Sequence, residues 1–159
     1  MASTYTTNIR LTKQGDGDNA NTWGEILNNV ISLVDQAVGT YTTITVGATS
    51  SVALTENSGS GDQARSAILE IAGTVGGAHT SIFVYLPAGS AKTYAIKNAV
   101  SANTTASDAV VLRVAGQTHG VTVPLGGTGY FFTNGTSVNT LNAAGFSALT
   151  TTQGDARYV

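Results

Sequence analysis

The stretch Asn21 to Val38, NTWGEILNNVISLVDQAV, constrains this chain most, because it is the one segment with sustained helical periodicity. At 100° per residue, Glu25, Asn28, Asn29, Ser32, Asp35 and Gln36 share one side, and the apolar side divides into two parallel seams. Trp23, Ile26, Val30, Leu33 and Ala37 form one seam in 3,4,3,4 spacing; Leu27, Ile31, Val34 and Val38 form the other in 4,3,4 spacing. Together they span roughly 160°, wider than the stripe of about 100° that one contact face requires. The pattern therefore predicts a helix that touches two bodies at once, its own β-domain and a copy of itself. A lid over one face of a monomeric sheet is the alternative. Thr22 with Glu25 fits a capping box at the start, and Gly39 fits a left-handed stop.

From Tyr41 onwards the period changes from 3.6 to 2. Tyr41–Val46, Ser51–Leu54, Arg65–Val75, His79–Leu86, Lys92–Val100, Ala109–Ala115, Gly120–Leu125 and Gly129–Thr133 read as strands separated by Gly, Ser, Asn, Asp or Pro. The expected fold is mainly β: an antiparallel β-sandwich or jelly-roll-like domain, preceded by one N-terminal α-helix and followed by an extended C-terminal tail. The corresponding division is 1–40 for an arm and helix that attach and trimerise, 41–135 for the β-domain, and 136–159 for a docking tail. His79–Leu86 is apolar on both faces and reads as a central strand, with Gly76 and Gly77 as a hairpin turn before it. Ahead of the helix, Ile9 and Leu11 alternate with Arg10 and Thr12, the pattern of an edge strand over Tyr5–Lys13. In the tail, Leu141, Phe146, Leu149 and Tyr158 are apolar beads without a core of their own, which suits docking onto another subunit or another protein.

At 159 residues and 42% hydrophobic content the chain is one domain's worth, able to bury a core without metal or disulfides. It has no cysteine, which excludes thiol catalysis and thiolate metal sites. Charged residues make up 10%, against about 25% in an average soluble domain, and the net charge is −2. Neither nucleic acid nor an acidic membrane surface is the expected partner, and no apolar run nears the length of a membrane span. The opening residues lack the apolar core of a signal peptide, so synthesis in a cytoplasm is expected.

No enzyme and no cofactor is expected either. His79 and His119 have no serine or carboxylate at a telling spacing. Gly73, Gly76 and Gly77, and Gly126, Gly127 and Gly129, lead into strands rather than helices, so they read as turns and not as phosphate loops. Counting from Asp16, the places where a calcium hand-loop needs an oxygen ligand, a glycine and a glutamate hold Ala20, Asn21 and Leu27. Asp62, Arg65, Asp155 and Arg157 read as charges that pair or cap. Tyr130, Phe131 and Phe132 read as a core strand with Val121 and Val123, and a set of Tyr85, Tyr94 and Tyr130 stacking on sugars is a lesser alternative.

The segment NIRLTKQGDGDNANTWGEILNNVISLVDQAV, followed by LTENSGSGDQARSAILEIAGTV, resembles the N-terminal part of tail fibres and related virion structural proteins of tailed bacteriophages. The ending ALTTTQGDARYV is similar to junction segments of phage fibres. The resemblance implies a homotrimer built into the virion, assembled in the host cytoplasm, with the helix near the attachment end. Its partners would be itself and other virion proteins of the tail or capsid, with a host-surface glycan reached only indirectly. A trimeric tail fibre or fibre adaptor is the first expectation, and a capsid decoration or head-fibre protein the second.

Overall fold

The Thr-, Val-, Ile- and Tyr-rich segments do become strands, as residues that fit a pleated, half-buried surface should. The computed structural model describes residues 2–18, 20–47, 51–74, 81–101 and 109–141. A short antiparallel pair, β1 (Thr4–Tyr5) and β2 (Thr12–Lys13), precedes the helix α1 (Trp23–Gly39). Two larger sheets follow. One contains β3 (Tyr41–Thr45), β5 (Ile68–Thr74), β7 (Ala91–Ser101), β10 (Thr128–Asn134) and β11 (Val138–Thr140), in the order β11-β10-β7-β5-β3. The other contains β4 (Ser51–Ala53), β6 (Ser81–Leu86), β8 (Ala109–Val114) and β9 (Gly120–Val123), in the order β4-β6-β8-β9. One turn of 3-10 helix, Gln63–Arg65, leads into β5, where the sequence pattern had placed the start of a strand.

Both sheets are mixed, which corrects the expected antiparallel arrangement. The chain alternates between them through β8, and β3, β5 and β7 run parallel to one another, as do β4, β6 and β8. In the first sheet Tyr41 pairs with Ile68 and Ile68 with Ala95, a constant step of 27 residues. Within these two sheets, among the described residues, β9, β10 and β11 join by antiparallel pairing. Consequently β5 and β6 form no hairpin with each other; they lie in different sheets, and Gly76 and Gly77 are outside the described residues. The reason is physical: alternation marks a buried face, whereas a parallel partner lies a whole crossover away and leaves no local mark.

One apolar cluster draws on both sheets. Ile44, Leu69, Ile71, Tyr94, Ile96 and Phe131 come from the first, and Ile82, Val84, Val110, Leu112, Val114 and Val123 from the second. The central position expected for His79–Leu86 is confirmed for β6, which lies between β4 and β8. Asn98 is fully buried in this apolar setting; its Nδ2 donates to the Val123 carbonyl at 3.0 Å and its Oδ1 accepts from the Val100 amide at 3.2 Å. Gly73, at φ +123°, lets β5 lie close to the end of β3, since a Cβ there would stand 2.2 Å from the Val46 carbonyl oxygen.

Two ends differ from the expected outline. Tyr5–Lys13 is not one strand but the β1–β2 hairpin, whose connection holds Arg10 at φ 52°, in the left-handed region. At the other end β11 extends the five-stranded sheet past residue 135, and the Leu141 amide donates to the Tyr130 carbonyl at 2.9 Å. The start of the expected tail thus belongs to the β-domain, while Phe146, Leu149 and Tyr158 lie outside the described residues.

Candidate interaction surface

Neither helix end uses the device its sequence suggested. Thr22 makes no side-chain capping bond, and Gly39 is the last helical residue rather than a left-handed stop. Extended Thr40 ends the helix instead, its amide still donating to Gln36. Without a cap at the first turn, the placing of α1 depends on what its inner face meets.

The two seams meet different surroundings. On the first, Leu33 is 4% exposed, while Ile26, Val30 and Ala37 are half-buried; Trp23, at the free first turn, is exposed. Thr12 and Gln14 of the arm line an open crevice with Trp23, Ile26, Leu27 and Val30. On the second seam every member is exposed, from 39% at Val34 to 75% at Val38, with Leu27 and Ile31 between. The polar residues beside Leu33 tie the helix down: Asn29 Nδ2 donates to the Gly59 carbonyl at 2.8 Å, and Gln36 Nε2 to the Asp62 carbonyl at 2.9 Å.

The loop under the helix is held by a buried ionic clasp centred on Asp62, whose side chain is fully buried. Arg10 Nη2 donates to both carboxylate oxygens, at 3.1 and 3.0 Å. The Arg65 amide donates to Oδ1 at 2.7 Å, Arg65 Nη2 to Oδ2 at 3.1 Å, and the Asn57 amide to Oδ2 at 3.0 Å. Arg65 Nη2 also reaches the Asn57 and Ser60 carbonyls, both at 2.9 Å. Arg10 Nη1 adds a contact to Glu56 at 3.5 Å and a hydrogen bond to Ser90 Oγ at 3.3 Å. The left-handed conformation at Arg10 costs energy that these contacts offset.

Cations outnumber anions inside the clasp. Lys92 Nζ donates to the Ala64, Arg65 and Ser66 carbonyls and lies 4.6 Å from the centre of the Tyr94 ring. Burial pushes its ammonium down to about 7, with Asp62 opposing that shift and Arg10 and Arg65 adding to it. Burial likewise lowers Arg65, against the pull of Asp62. The Tyr94 hydroxyl, raised by burial, donates to the Ala64 carbonyl at 2.9 Å. These contacts fasten the 57–66 loop to Arg10 of the arm and Lys92 of β7.

Asp62 and Arg65 therefore pair and cap as expected, whereas Arg10, Ser90 and Lys92 escaped sequence reasoning. The edge-strand pattern over Tyr5–Lys13 gave Arg10 no pairing role; the usable signal was the isolation of its charge in a charge-poor chain. Of the tyrosines considered for sugar stacking, Tyr94 is buried, Tyr85 is half-buried beside Phe83 on the four-stranded sheet, and Tyr130 is exposed on the other. Among the C-terminal docking residues, Leu141 is exposed. Among the described residues, no helix is long and apolar enough to cross a membrane. A comparison with protein-family models, curated proteins and solved structures finds no match to this chain.

Proposed function

We propose that this chain is a structural component of a tailed-phage virion, a homotrimeric fibre or fibre adaptor joining the tail to a distal host-recognition component. The observation that carries the reading is the outer seam of α1: four apolar side chains in 4,3,4 spacing, all exposed, on a helix whose other seam already rests on its own domain. An uncharged seam of this spacing is the surface that helices present to copies of themselves. The resemblance of residues 8–38 and of the ending to phage fibres supplies the virion; the seam supplies self-association. The two mixed sheets are read as facing layers of a sandwich, supported by the single core cluster they share.

Antibody against the chain, applied to particles of the phage that encodes it, tests the placement. Label at the tail in a small number of copies is the expected result. Label spread over the head would move the protein to capsid decoration, and unlabelled intact and disrupted particles would end the virion reading.

A further inference from the structure

The outer face of the five-stranded sheet carries an apolar row that the helix alone does not account for. Tyr41, Ile68, Ala95 and Tyr130 are register partners across β3, β5, β7 and β10. Their chain neighbours Leu69, Ile96 and Phe131 point into the core, so this row faces outward. Tyr41, Ile68 and Tyr130 are exposed, Ala95 is half-buried, and the Leu141 amide on the Tyr130 carbonyl brings exposed Leu141 to the far end. The next row is neutralised internally: Lys97 Nζ meets Glu70 Oε2 at 2.8 Å, and the Tyr41 hydroxyl donates to the same carboxylate oxygen. Val38, the most exposed residue of the helix seam, precedes Tyr41 by three positions, so the end of the seam and the start of the row are close in the chain.

Area decides what such a strip can hold. At on the order of 100 Å² of exposed surface per large side chain, the helix seam alone offers roughly 400 Å², half the roughly 800 Å² that one partner contributes to a stable interface. Seam and row together reach about that figure, and exceed the roughly 300–600 Å² of the largest apolar patch on a typical monomer. None of the residues that form the strip carries a charge that would select a foreign partner.

We propose that a second copy of this chain packs on the Tyr41–Ile68–Ala95–Tyr130 row, making sheet face and helix seam one continuous copy-to-copy interface. The proposal rests on the self-association reading above, and names the part of the β-domain that takes part.

Because the chain has no cysteine, single thiols report the interface cleanly. Ala95→Cys probes the row, Val34→Cys the helix seam, and Ala53→Cys the outer side of the other sheet. Maleimide labelling of the full chain is followed at a concentration where sedimentation shows the assembly and after dilution to the monomer. Labelling of Ala95→Cys and Val34→Cys is expected to be at least tenfold slower in the assembly, with Ala53→Cys unchanged. If Val34→Cys is protected and Ala95→Cys is not, the row falls while the helix seam stands. A chain that stays monomeric at every concentration overturns both; protection of Ala95→Cys only inside intact virions would assign the row to another virion protein and overturn the second-copy proposal.

Discussion

The two seams of α1 are alike in composition and opposite in circumstance. Leu33 lies buried beside side-chain bonds to Gly59 and Asp62, above a loop clamped by Arg10 and Arg65. Val34, one residue on, belongs to a surface that is left exposed among the described residues. What separates the seams is not hydrophobicity but the polar fastening under one of them. Apolar periodicity states how many faces a helix must bury; the buried ionic clasp decides which face the monomer takes.

That contrast breaks most readily at Asp62. Replacing it with alanine strands Arg10, Arg65 and Lys92 without their buried anion, and removing one partner of such a pair costs roughly 3–5 kcal/mol. Chemical denaturation of the full chain checks this, and a loss below about 1 kcal/mol would show the clasp to be incidental. The seams themselves are compared next. Leu33→Ala should cost about 2–4 kcal/mol of monomer stability, the range for emptying a buried leucine site that relaxes in part. Ile31→Ala should stay within about 0.5 kcal/mol for the monomer, as exposed substitutions do, while weakening assembly. Equal monomer costs at the two sites would erase the distinction between inner and outer seam.

A further effect concerns pH. Burial lowers Lys92 from 10.5 to about 7, so between those values the unfolded chain binds more protons than the folded one. Stability should therefore rise as pH climbs through that window, by less than full deprotonation implies because three carbonyls favour the ammonium. Denaturation midpoints at pH 7 and pH 9.5 for the parent and for Lys92→Met test it: the parent should gain stability relative to the variant.

Much of the fold was legible at the level of elements. The helix, the central strand β6 and most strand positions follow from period and from β-branched content. The topology was not legible, because Ile44, Ile71 and Asn98 occupy equivalent core positions one step of 27 residues apart yet share only the need to fill and satisfy that space. Nothing in YTTIT, ILEIA and AIKNA announces that they are neighbours. Within the candidate surface, the double seam was visible in full, but the side of the helix that faces the domain was not. That depended on Arg10, whose inward turn comes from a left-handed backbone position in a short hairpin rather than from alternation. Both helix caps were misread for a related reason: the chain fixes α1 through side-chain bonds to the 59–62 loop, so the terminal signals at Thr22 and Gly39 were not required.

The outer seam as a self-association surface is tested most directly by sedimentation equilibrium of the full chain at micromolar concentration, beside Ile31→Asp/Val38→Asp. A parent of three chain masses and a folded, monomeric double variant are the results expected here. A parent that sediments as a monomer, or a double variant that assembles as the parent does, would contradict the account.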